Sequence, residues 1–507
     1  MAVNAAEEEF LRAPSTQEYK PVQRNASVYN PLDTFRLPPG QERQYQQQYG
    51  DMYFLRLAKL KPAVEAVAVQ AWEGLTIAGE RVRRVERVLD NFTSAPPPRR
   101  TYKDPSHPEL TEIMLEDESG RLRLTGSKLR SVQLATGVII AVLGTENANG
   151  DFEAIDIKVP DLAPQPRRWE RDEAKAPKEP KKGKIAMVSG LGITGTSSDT
   201  LALELLTDYL LGYTGSSKNE DGSLPDASGI TRLVIAGNSL GASTIEAAPA
   251  VNGPKGKKIA QQKKYGYDAS AYNASPITQL DSFLAELLPS IPVTIMSGES
   301  DPANFALPQQ PIHRAMFPRS RAYCAAPPSG EEKPEPGWFD SVTNPWEGDV
   351  EGWRLWGCSG QNVDDVLRYL DFADEDGNID TDGDVEARIR VMEAMLRWRC
   401  GVPTAPDTIW SYPFQNDDPF VMESCPHLFF AGNQPRFRTA VVEGDTPLRL
   451  NGEDTEMGGM EDEPIPTVRL ISLPKFRETG ELVLVDTETL EVEVVRFGAF
   501  AGKEEKL

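Results

Sequence analysis

The sequence predicts a multidomain protein of the α+β and α/β classes, in which a small β-barrel precedes a larger α/β sandwich. The chain has 507 residues, more than one ordinary core of about 100–200 residues accommodates. Short β-rich runs separated by turn clusters fill the region from about residue 77 to residue 162. Beyond residue 184, strand-like runs alternate with helical ones, which is typical of an α/β sheet. We therefore divide the chain into a flexible N-terminal arm (1–40), a helical segment (41–75), a barrel (76–163), a linker (164–183) and an α/β domain (184–507).

The region before the barrel is expected to be mobile at first and helical later. Residues 1–40 are polar and contain several prolines, which predicts an arm without packed structure. From Tyr45 to Val67 the apolar residues recur at spacings of three and four, the period of an amphipathic helix. Because proline lacks a backbone donor, we expect Pro62 to break this helical segment.

The barrel is predicted from about five short strands and two hairpin signals. Turn residues at 117–120 and 147–150 separate β-rich runs at 112–116, 121–125, 137–144 and 152–159, a further run occupies 82–88, and 96–108 is a proline-rich loop. These features indicate an OB-type barrel. Such barrels often bind single strands through aromatic side chains, but Phe92 and Phe152 are the main aromatics on these runs. We therefore expect the barrel to contact protein rather than nucleic acid.

The segment after the barrel begins with a linker rich in proline, lysine and glutamate, which predicts solvent exposure. The α/β domain then has strand-like runs at 184–189, 231–236, 291–297, 352–356, 428–431, 468–472, 481–486 and 491–497 and helical runs at 198–211, 276–288 and 385–399. Three insertions, at 214–228, 252–264 and 451–463, have the composition of exposed loops. Residues 378–383 imitate the start of a calcium loop, but Ile389 stands where a glutamate ligand is needed, so an acidic loop before a helix is expected.

Composition excludes several classes of protein. The formal net charge of -23 opposes direct binding to a phosphate backbone, which lysine and arginine drive. The acidic start and the absence of an apolar run near about 18 residues predict a protein that is neither secreted nor membrane-embedded. The cysteines are widely spaced, which indicates a reducing compartment and neither a zinc site nor a disulfide framework. They are Cys324, Cys358, Cys400 and Cys425.

Four loops that follow apolar strands match, in position, the ligand loops of calcineurin-like phosphoesterases, written roughly D-x-H, G-D-x-x-D, G-N-H-[DE] and G-H-x-H. Two metal ions roughly 3.5–4 Å apart need several imidazoles and carboxylates, yet the whole chain has 3 histidines. We expect vestigial loops with no catalytic residue, no metal and no cofactor, although Glu299, Asp301 and Asn433 could touch a stray cation. The positions where ligands are missing or replaced are Gly190, Gly192, Asn238, Gly241, Glu299, Asp301 and Asn433.

Two further motifs leave enzymatic alternatives open. Residues 190–195 fulfil the G-x-G-x-x-G pattern of a dinucleotide site, but the next strand ends in Ala-Gly-Asn rather than in an acid that could bind ribose. Residues 237–241 read G-x-S-x-G, the nucleophile elbow of serine hydrolases, and Asp301 and His427 follow in the required order. A serine hydrolase using Ser239 and an active metal-dependent phosphodiesterase or nuclease therefore remain alternatives, as does a single-strand binder using the barrel.

Seven segments, in this order, resemble the B-subunits of replicative DNA polymerases. They read VSGLG (188–192), IAGN (235–238), GESDP (298–302), LPQQP (307–311), GQNVDD (360–365), PTAPDT (403–408) and CPH (425–427). The resemblance extends from about residue 41 to residue 500. It implies an OB barrel joined to an inactive phosphodiesterase domain, a nuclear location, and a scaffolding role in DNA replication and repair.

The same resemblance implies the partners. One is the C-terminal cysteine-rich domain of the catalytic polymerase subunit, and another is the N-terminal domain of a third, elongated subunit. It also implies that metal sites of the assembly lie in the large subunit and that DNA is contacted only indirectly or weakly. For the contact surfaces we consider residues 307–317, from Leu307 to Phe317, and the aromatic loop 410–420. The alternative, that these aromatics fill the local core, stays open. The candidate anchors in the loop are Trp410, Tyr412, Phe414 and Phe420.

Overall fold

A computed structural model gives the structure of the chain. It describes residues 24–43, 50–77, 80–81, 89–91, 113–117, 120–177, 183–196, 200–213, 227–241, 274–326, 335–370, 381–444 and 465–497. The predicted insertions 252–264 and 451–463, the proline-rich loop 96–108, the strand at 82–88, and most of the insertion 214–228 lie outside these residues. No helix within them is both long and apolar enough to cross a bilayer.

The described elements follow the predicted order. The strands are β1 (Tyr29–Pro31), β2 (Thr76–Ile77), β3 (Glu80–Arg81), β4 (Leu89–Asn91), β5 (Ile113–Asp117), β6 (Gly120–Thr125), β7 (Ile139–Glu146), β8 (Phe152–Lys158), β9 (Lys184–Val188), β10 (Ile230–Ala236), β11 (Val293–Met296), β12 (Phe339–Val342), β13 (Trp346–Val350), β14 (Trp353–Cys358), β15 (Leu428–Gln434), β16 (Arg438–Glu443), β17 (Thr467–Pro474), β18 (Glu481–Asp486) and β19 (Val492–Arg496). The helices are α1 (Gly50–Trp72), α2 (Thr200–Leu211), α3 (Ser275–Leu287), α4 (Gln361–Leu367), α5 (Thr381–Arg397) and α6 (Phe476–Thr479).

The first unit is a closed five-stranded barrel. Its strands follow the order β4-β5-β6-β8-β7, and β4 pairs with β7 to close the ring. The pair β6 and β8 is parallel, whereas the other neighbours are antiparallel. The hairpins β5–β6 and β7–β8 turn at the two clusters recognised in the sequence. This order is that of an OB barrel, so the predicted barrel type is confirmed.

The second unit is a sandwich of two six-stranded sheets. One sheet has the order β1-β13-β14-β15-β17-β16 and the other β12-β11-β10-β9-β18-β19. Side chains alternate between faces: Val234 packs between the sheets, whereas Leu233 packs under helices α2 and α3. Because both faces of the central strands are covered, those strands read as continuous apolar runs, which is why the sequence predicted them. The edge strands β12 and β16, the strand β13 next to the edge, and the short helix α4 were not predicted.

The barrel and the sandwich share one hydrophobic core. Leu115 and Ile140 of the barrel belong to the same buried cluster as Trp356 of β14 and Met392 of α5. Helix α1 covers this junction, and its Arg56, which is fully buried, forms an ion pair with Asp418 at 2.8 Å. The two units therefore form one packed body in which the junction is as apolar as an interior.

The prediction of a flexible arm is wrong for residues 24–40. Strand β1 pairs antiparallel with β13 and so forms the edge of a sheet. Tyr29 lies between the sheets, and Phe35 is buried against Trp356 and Phe420. A strand of three residues gives almost no periodic signal, so its burial depends on partners that are about 320 residues away in sequence. Residues 1–23 lie outside the described part of the chain.

The predicted break at Pro62 is also wrong, because helix α1 continues through it. Pro62 is exposed on the outer side of the helix, so the hydrogen bond that it cannot donate is lost at a solvated position. The opposite face is held by burial of Leu57, Leu60 and Val64 against the barrel. Packing of this face outweighs the local cost of the proline.

The predicted solvated linker is anchored over its first part. Gln165 binds backbone groups of Pro426 and Thr467, and Arg168 donates to the backbone oxygens of Glu351 and Thr487. The Arg168 guanidinium also lies 4.3 Å from the centre of the Trp353 ring. The positive charge of Arg168 therefore interacts with groups of the protein itself. In the acidic segment, helix α5 already begins at Thr381, within the segment predicted to be a loop.

Candidate functional site

The loops predicted to be vestigial meet at one edge of the sandwich. Strands β9, β10 and β11 are parallel, as are β14, β15 and β17, so their carboxyl ends point the same way within each sheet. Across the sheets, Ser189 Oγ accepts from the backbone N–H of Asn433 at 2.8 Å. The Asn433 side chain donates to the backbone oxygens of Ala236 and Ser359 at 3.3 and 2.8 Å.

The glycines of these loops allow the backbones to approach closely instead of leaving room for ions. A Cβ added to Gly237 would lie 2.2 Å from Ser359 Oγ, and one added to Gly432 would lie 2.3 Å from the oxygen of Ala236. A Cβ on Gly298 would lie 2.4 Å from the nitrogen of Asn238. At these three glycines the neighbouring loops are therefore in close contact, as in a protein interior. The site is closed by the chain's own backbone.

Asp301 is the buried carboxylate of the site, and it binds backbone groups. Its side chain accepts from the N–H groups of Leu240 and Gly298, both at 2.9 Å, and from that of Ser239 at 3.3 Å. Burial raises the pKa of Asp301 to about 6, and the backbone N–H groups partly oppose that rise. A carboxylate engaged in this way holds two loops together, which leaves its oxygens committed to the fold.

The asparagines at the site have structural roles as well. Asn238 and Asn433 adopt positive φ angles of 51° and 58°, a conformation that asparagine tolerates better than most residues. Asn238 Oδ1 accepts from the N–H of Ser300, and Asn433 Oδ1 is buried against Gly190 with no partner in the described part of the chain. No group of three or more metal-ligating side chains occurs among the described residues. One neutral amide oxygen does not hold a pair of divalent ions.

The dinucleotide pattern does not form a phosphate site. The N–H groups of Gly190, Gly192 and Ile193 donate to backbone oxygens of residues 237–239 at 2.9–3.1 Å. Arg477 donates to the oxygen of Gly192 at 2.6 Å from the other side. These three amides, which a pyrophosphate would need, are therefore already donated to the loop that follows β10.

The geometry argues against the serine-hydrolase alternative, because the predicted nucleophile and base lie far apart. Ser239 is fully buried, and its Oγ has no hydrogen-bond partner among the described residues. His427 precedes β15, whereas Asn433, which contacts the strand leading to Ser239, lies near the other end of β15. At about 3.3 Å per residue, roughly 20 Å separate the two ends. No proton relay from Ser239 to His427 fits this arrangement.

His427 belongs instead to the junction of β14, β15 and the linker. Its Nδ1 accepts from the backbone N–H of Arg354 at 3.1 Å, and its ring lies against Trp353. Burial is the main cause that lowers the pKa of His427 to about 4, and the charge of Arg354 adds to it. The neutral ring is therefore the form that fits the folded state.

We expect the stability of the protein to fall as His427 is protonated. Because the folded pKa lies below the usual 6.5, the contribution is complete above pH 6.5 and is lost as the pH falls towards 4, by about 3 kcal/mol. Denaturant unfolding at pH 7 and at about pH 4.5 measures it. His427→Asn, which does not titrate, serves as the control that removes this part of the pH dependence. Parallel pH profiles for the two proteins would contradict the prediction.

Most of the predicted partner-binding anchors are core residues. Phe317 and Phe420 are fully buried, and Leu307 and Tyr412 are nearly so. Phe414 is half-buried and packs against Tyr412 and Phe420. The hypothesis that these four buried residues bind a partner is therefore corrected, because they belong to the core. Aromatic content does not reveal which side of a loop faces solvent. Trp410 is different, because 67% of it is exposed.

Sequence reasoning missed two residues. Phe305 is 71% exposed and lies beside Trp410 on one groove, but a single aromatic in a polar loop carries little signal. Arg56 falls on the apolar face of α1 between Met52 and Leu60, and a charge on a buried stripe is a usable sign of a buried ion pair. Glu299, predicted among the vestigial loops, is exposed and lines the same groove as Phe305.

Comparisons with known proteins agree with this geometry. The family of B-subunits of DNA polymerases alpha and epsilon matches residues 185–439, and the OB-fold domain family of DNA polymerase delta matches residues 82–157. The DNA polymerase delta small subunit of Saccharomyces cerevisiae is 32% identical, over 93% of each chain. That of Arabidopsis thaliana is 32% identical, over 94% of this chain and 96% of its own. The DNA polymerase delta subunit 2 of Drosophila melanogaster is 30% identical, over 90% and 95%.

An OB barrel packed on a sandwich whose ligand loops are closed, together with these matches, places the chain in the B-subunit family of replicative DNA polymerases. The matches to the three small subunits extend over at least 90% of this chain, which allows a more specific assignment. Within this family it belongs to the small subunits of DNA polymerase delta.

Proposed function

We propose that the chain is a non-catalytic scaffolding subunit of DNA polymerase delta that acts in the nucleus, in DNA replication and repair. In this role it docks the C-terminal cysteine-rich domain of the catalytic subunit and bridges it to a third subunit. The observation that carries the proposal is the closed site: Asp301 is bound to three backbone N–H groups where a hydrolase would need open metal ligands. A domain that retains its shape without a reaction centre serves as a platform.

The shared core supports a platform of this kind. Barrel, helix α1 and sandwich pack through one apolar cluster, so a partner that touches both units meets a rigid surface. A permanent interface between subunits buries roughly 800 Å² or more on each side, and a surface that does not rearrange on binding loses less free energy to ordering.

The cysteines support placing the metal sites of the assembly in a partner. Burial raises the pKa of Cys358 and of Cys425 to about 12, which keeps both as thiols, whereas metal ligands are thiolates. Cys400 is buried as well. The net charge of -23 supports an indirect relation to DNA, since a phosphate backbone repels such a chain.

Co-expression with the full-length catalytic subunit of the polymerase from the same organism tests the proposal. We expect a complex that survives gel filtration in about 0.5 M NaCl, because an interface with an apolar core is little affected by screening. The purified chain is expected to show no phosphodiester hydrolysis with added Mn²⁺. Separate elution of the two chains, or turnover that Asp301→Ala abolishes, would overturn the proposal.

A further inference from the structure

A groove with two exposed aromatic rings lies beside the closed site. It has a volume of about 300 Å³, and Phe305, Trp410 and Glu299 are among its lining residues. Phe305 and Trp410 are 71% and 67% exposed, which is unusual for side chains of this size in a folded protein. Two such rings on one concave surface mark a place where another molecule can be bound.

The rings are held in position by the fold. The loop of Phe305 and the loop of Trp410 pair through Leu307, whose N–H donates to the oxygen of Trp410 and whose oxygen accepts from Tyr412, both at 2.8 Å. Leu307 itself is only 2% exposed, so this pairing is anchored in the core. Exposed aromatic side chains on a fixed backbone bind a partner with little loss of conformational entropy.

The floor of the groove is a network of side-chain amides. Asn344 donates to Gln309 and to Gln361 at 2.8 and 2.9 Å, and Gln361 donates to Gln309 at 3.0 Å. Gln309 is 2% exposed and also donates to the oxygen of Asn304 at 3.0 Å. Because these groups bind one another, the floor is preformed and does not need a ligand to satisfy it.

The lining contains the three carboxylates of Glu299, Asp364 and Asp365 and the one guanidinium of Arg368, so its net charge is negative. Asp364 is paired with Arg388, and Asp365 with Arg368 at 3.2 Å. Glu299 is exposed and has no hydrogen-bond or ion-pair partner among the described residues. A carboxylate without a counter-ion beside two aromatic faces favours a cation, since an ammonium or guanidinium group pairs with the one and stacks on the other.

We propose that this aromatic groove, defined by Glu299, Phe305 and Trp410, binds a lysine- or arginine-bearing segment of the catalytic subunit. The inference rests on the proposed function and adds the chemistry of one contact to it. The side chain of the segment places its cationic group against Glu299 and its aliphatic part against the rings of Phe305 and Trp410. A nucleic acid is excluded by the sign of the charge, and a second copy of this chain, with a net charge of -23, is repelled.

The test measures binding of the full-length catalytic subunit to immobilised wild-type chain and to two variants. Trp410→Ala is expected to weaken the affinity by about 30-fold, the effect of losing an interface anchor. Glu299→Lys is expected to weaken it by about 10-fold or more and to reduce its dependence on NaCl concentration, because a like charge then faces the cation. Matched controls are Tyr213→Ala and Glu204→Lys, at exposed positions in and just after α2 that do not line the groove.

Each possible result either supports or overturns the proposed role of the groove in binding the catalytic subunit. Both variants should keep the wild-type melting temperature, because the substituted side chains are exposed, and both controls should bind as the wild type does. Unchanged affinity of both variants overturns the groove assignment and leaves the proposed function intact. Loss of affinity with Trp410→Ala but not with Glu299→Lys rejects a cationic segment. Failure of the wild-type chain to bind overturns the proposed function and, with it, this inference.

Discussion

Replacing Asp418 with alanine is expected to destabilise the protein by about 3–5 kcal/mol. Arg56 and Asp418 are both fully buried, and the guanidinium also donates to the backbone oxygens of Gly137, Pro403 and Ala405. Removing the carboxylate leaves a positive charge inside the junction of barrel, α1 and sandwich, where water cannot solvate it. Chemical denaturation followed by tryptophan fluorescence measures the loss.

A double-mutant cycle separates the ion pair from the rest of the contacts. Arg56→Met and Asp418→Leu should each be strongly destabilising alone, and the double variant should lose much less than the sum, because no unpaired charge remains. Glu116→Ala, which breaks the exposed pair with Arg121 on the barrel, is the control and should change stability by less than about 1 kcal/mol. Additive effects of the two core substitutions would show that the charges are not coupled.

Replacing Asp301 with alanine is expected to cost about 4 kcal/mol of stability. Three backbone N–H groups, of Ser239, Leu240 and Gly298, lose their acceptor in a buried site, and each such group costs about 1–3 kcal/mol when left unsatisfied. Glu299→Ala, two positions away and exposed, is the matched control and should stay within about 0.5 kcal/mol. Equal stabilities of the two variants would refute the structural role of Asp301.

The pH dependence of Asp301 gives a second readout. Because its folded pKa, about 6, is above the ordinary value of 3.8, its ionisation favours the unfolded state, so this part of the stability is present at low pH and is lost as the pH rises through 6. Asp301→Asn keeps an acceptor and does not titrate. We expect its stability relative to the wild type to improve between pH 5 and pH 7.

The central strands could be predicted because their surroundings are uniform. Strands β9, β10, β11 and β15 are covered on both faces, so nearly every residue is apolar and the run stands out without knowledge of its neighbours. Most positions of the edge strand β16 are exposed or half-buried, and β1 has only three residues. These two strands form because they pair with strands that are distant in sequence. A short stretch of sequence gives no information about such partners.

The candidate site shows the same division. Missing ligands and retained glycines were visible in the sequence, because ligand chemistry depends on residue type and spacing. The closure of the loops was not visible, because it depends on Ser359 and on backbone atoms of Ala236 and Asn238 that approach only when the sheets pack. The prediction of the partner-binding residues was partly wrong for the same reason. Phe420 and Trp410 lie in one loop, but Phe420 is in the core and Trp410 is exposed to solvent.

The amino-acid sequence by itself determined the order of barrel and sandwich, the four glycine-bearing loops, the absence of histidine ligands from those loops and the resemblance to B-subunits. Only the tertiary structure decided that residues 24–40 are packed, that Asp301 closes the site from within, and that Trp410 and Phe305 share a groove with Glu299. The physical reason is the range of the interactions. Periodicity and ligand type are local properties of the chain, whereas burial and charge pairing are set by residues that meet only after folding.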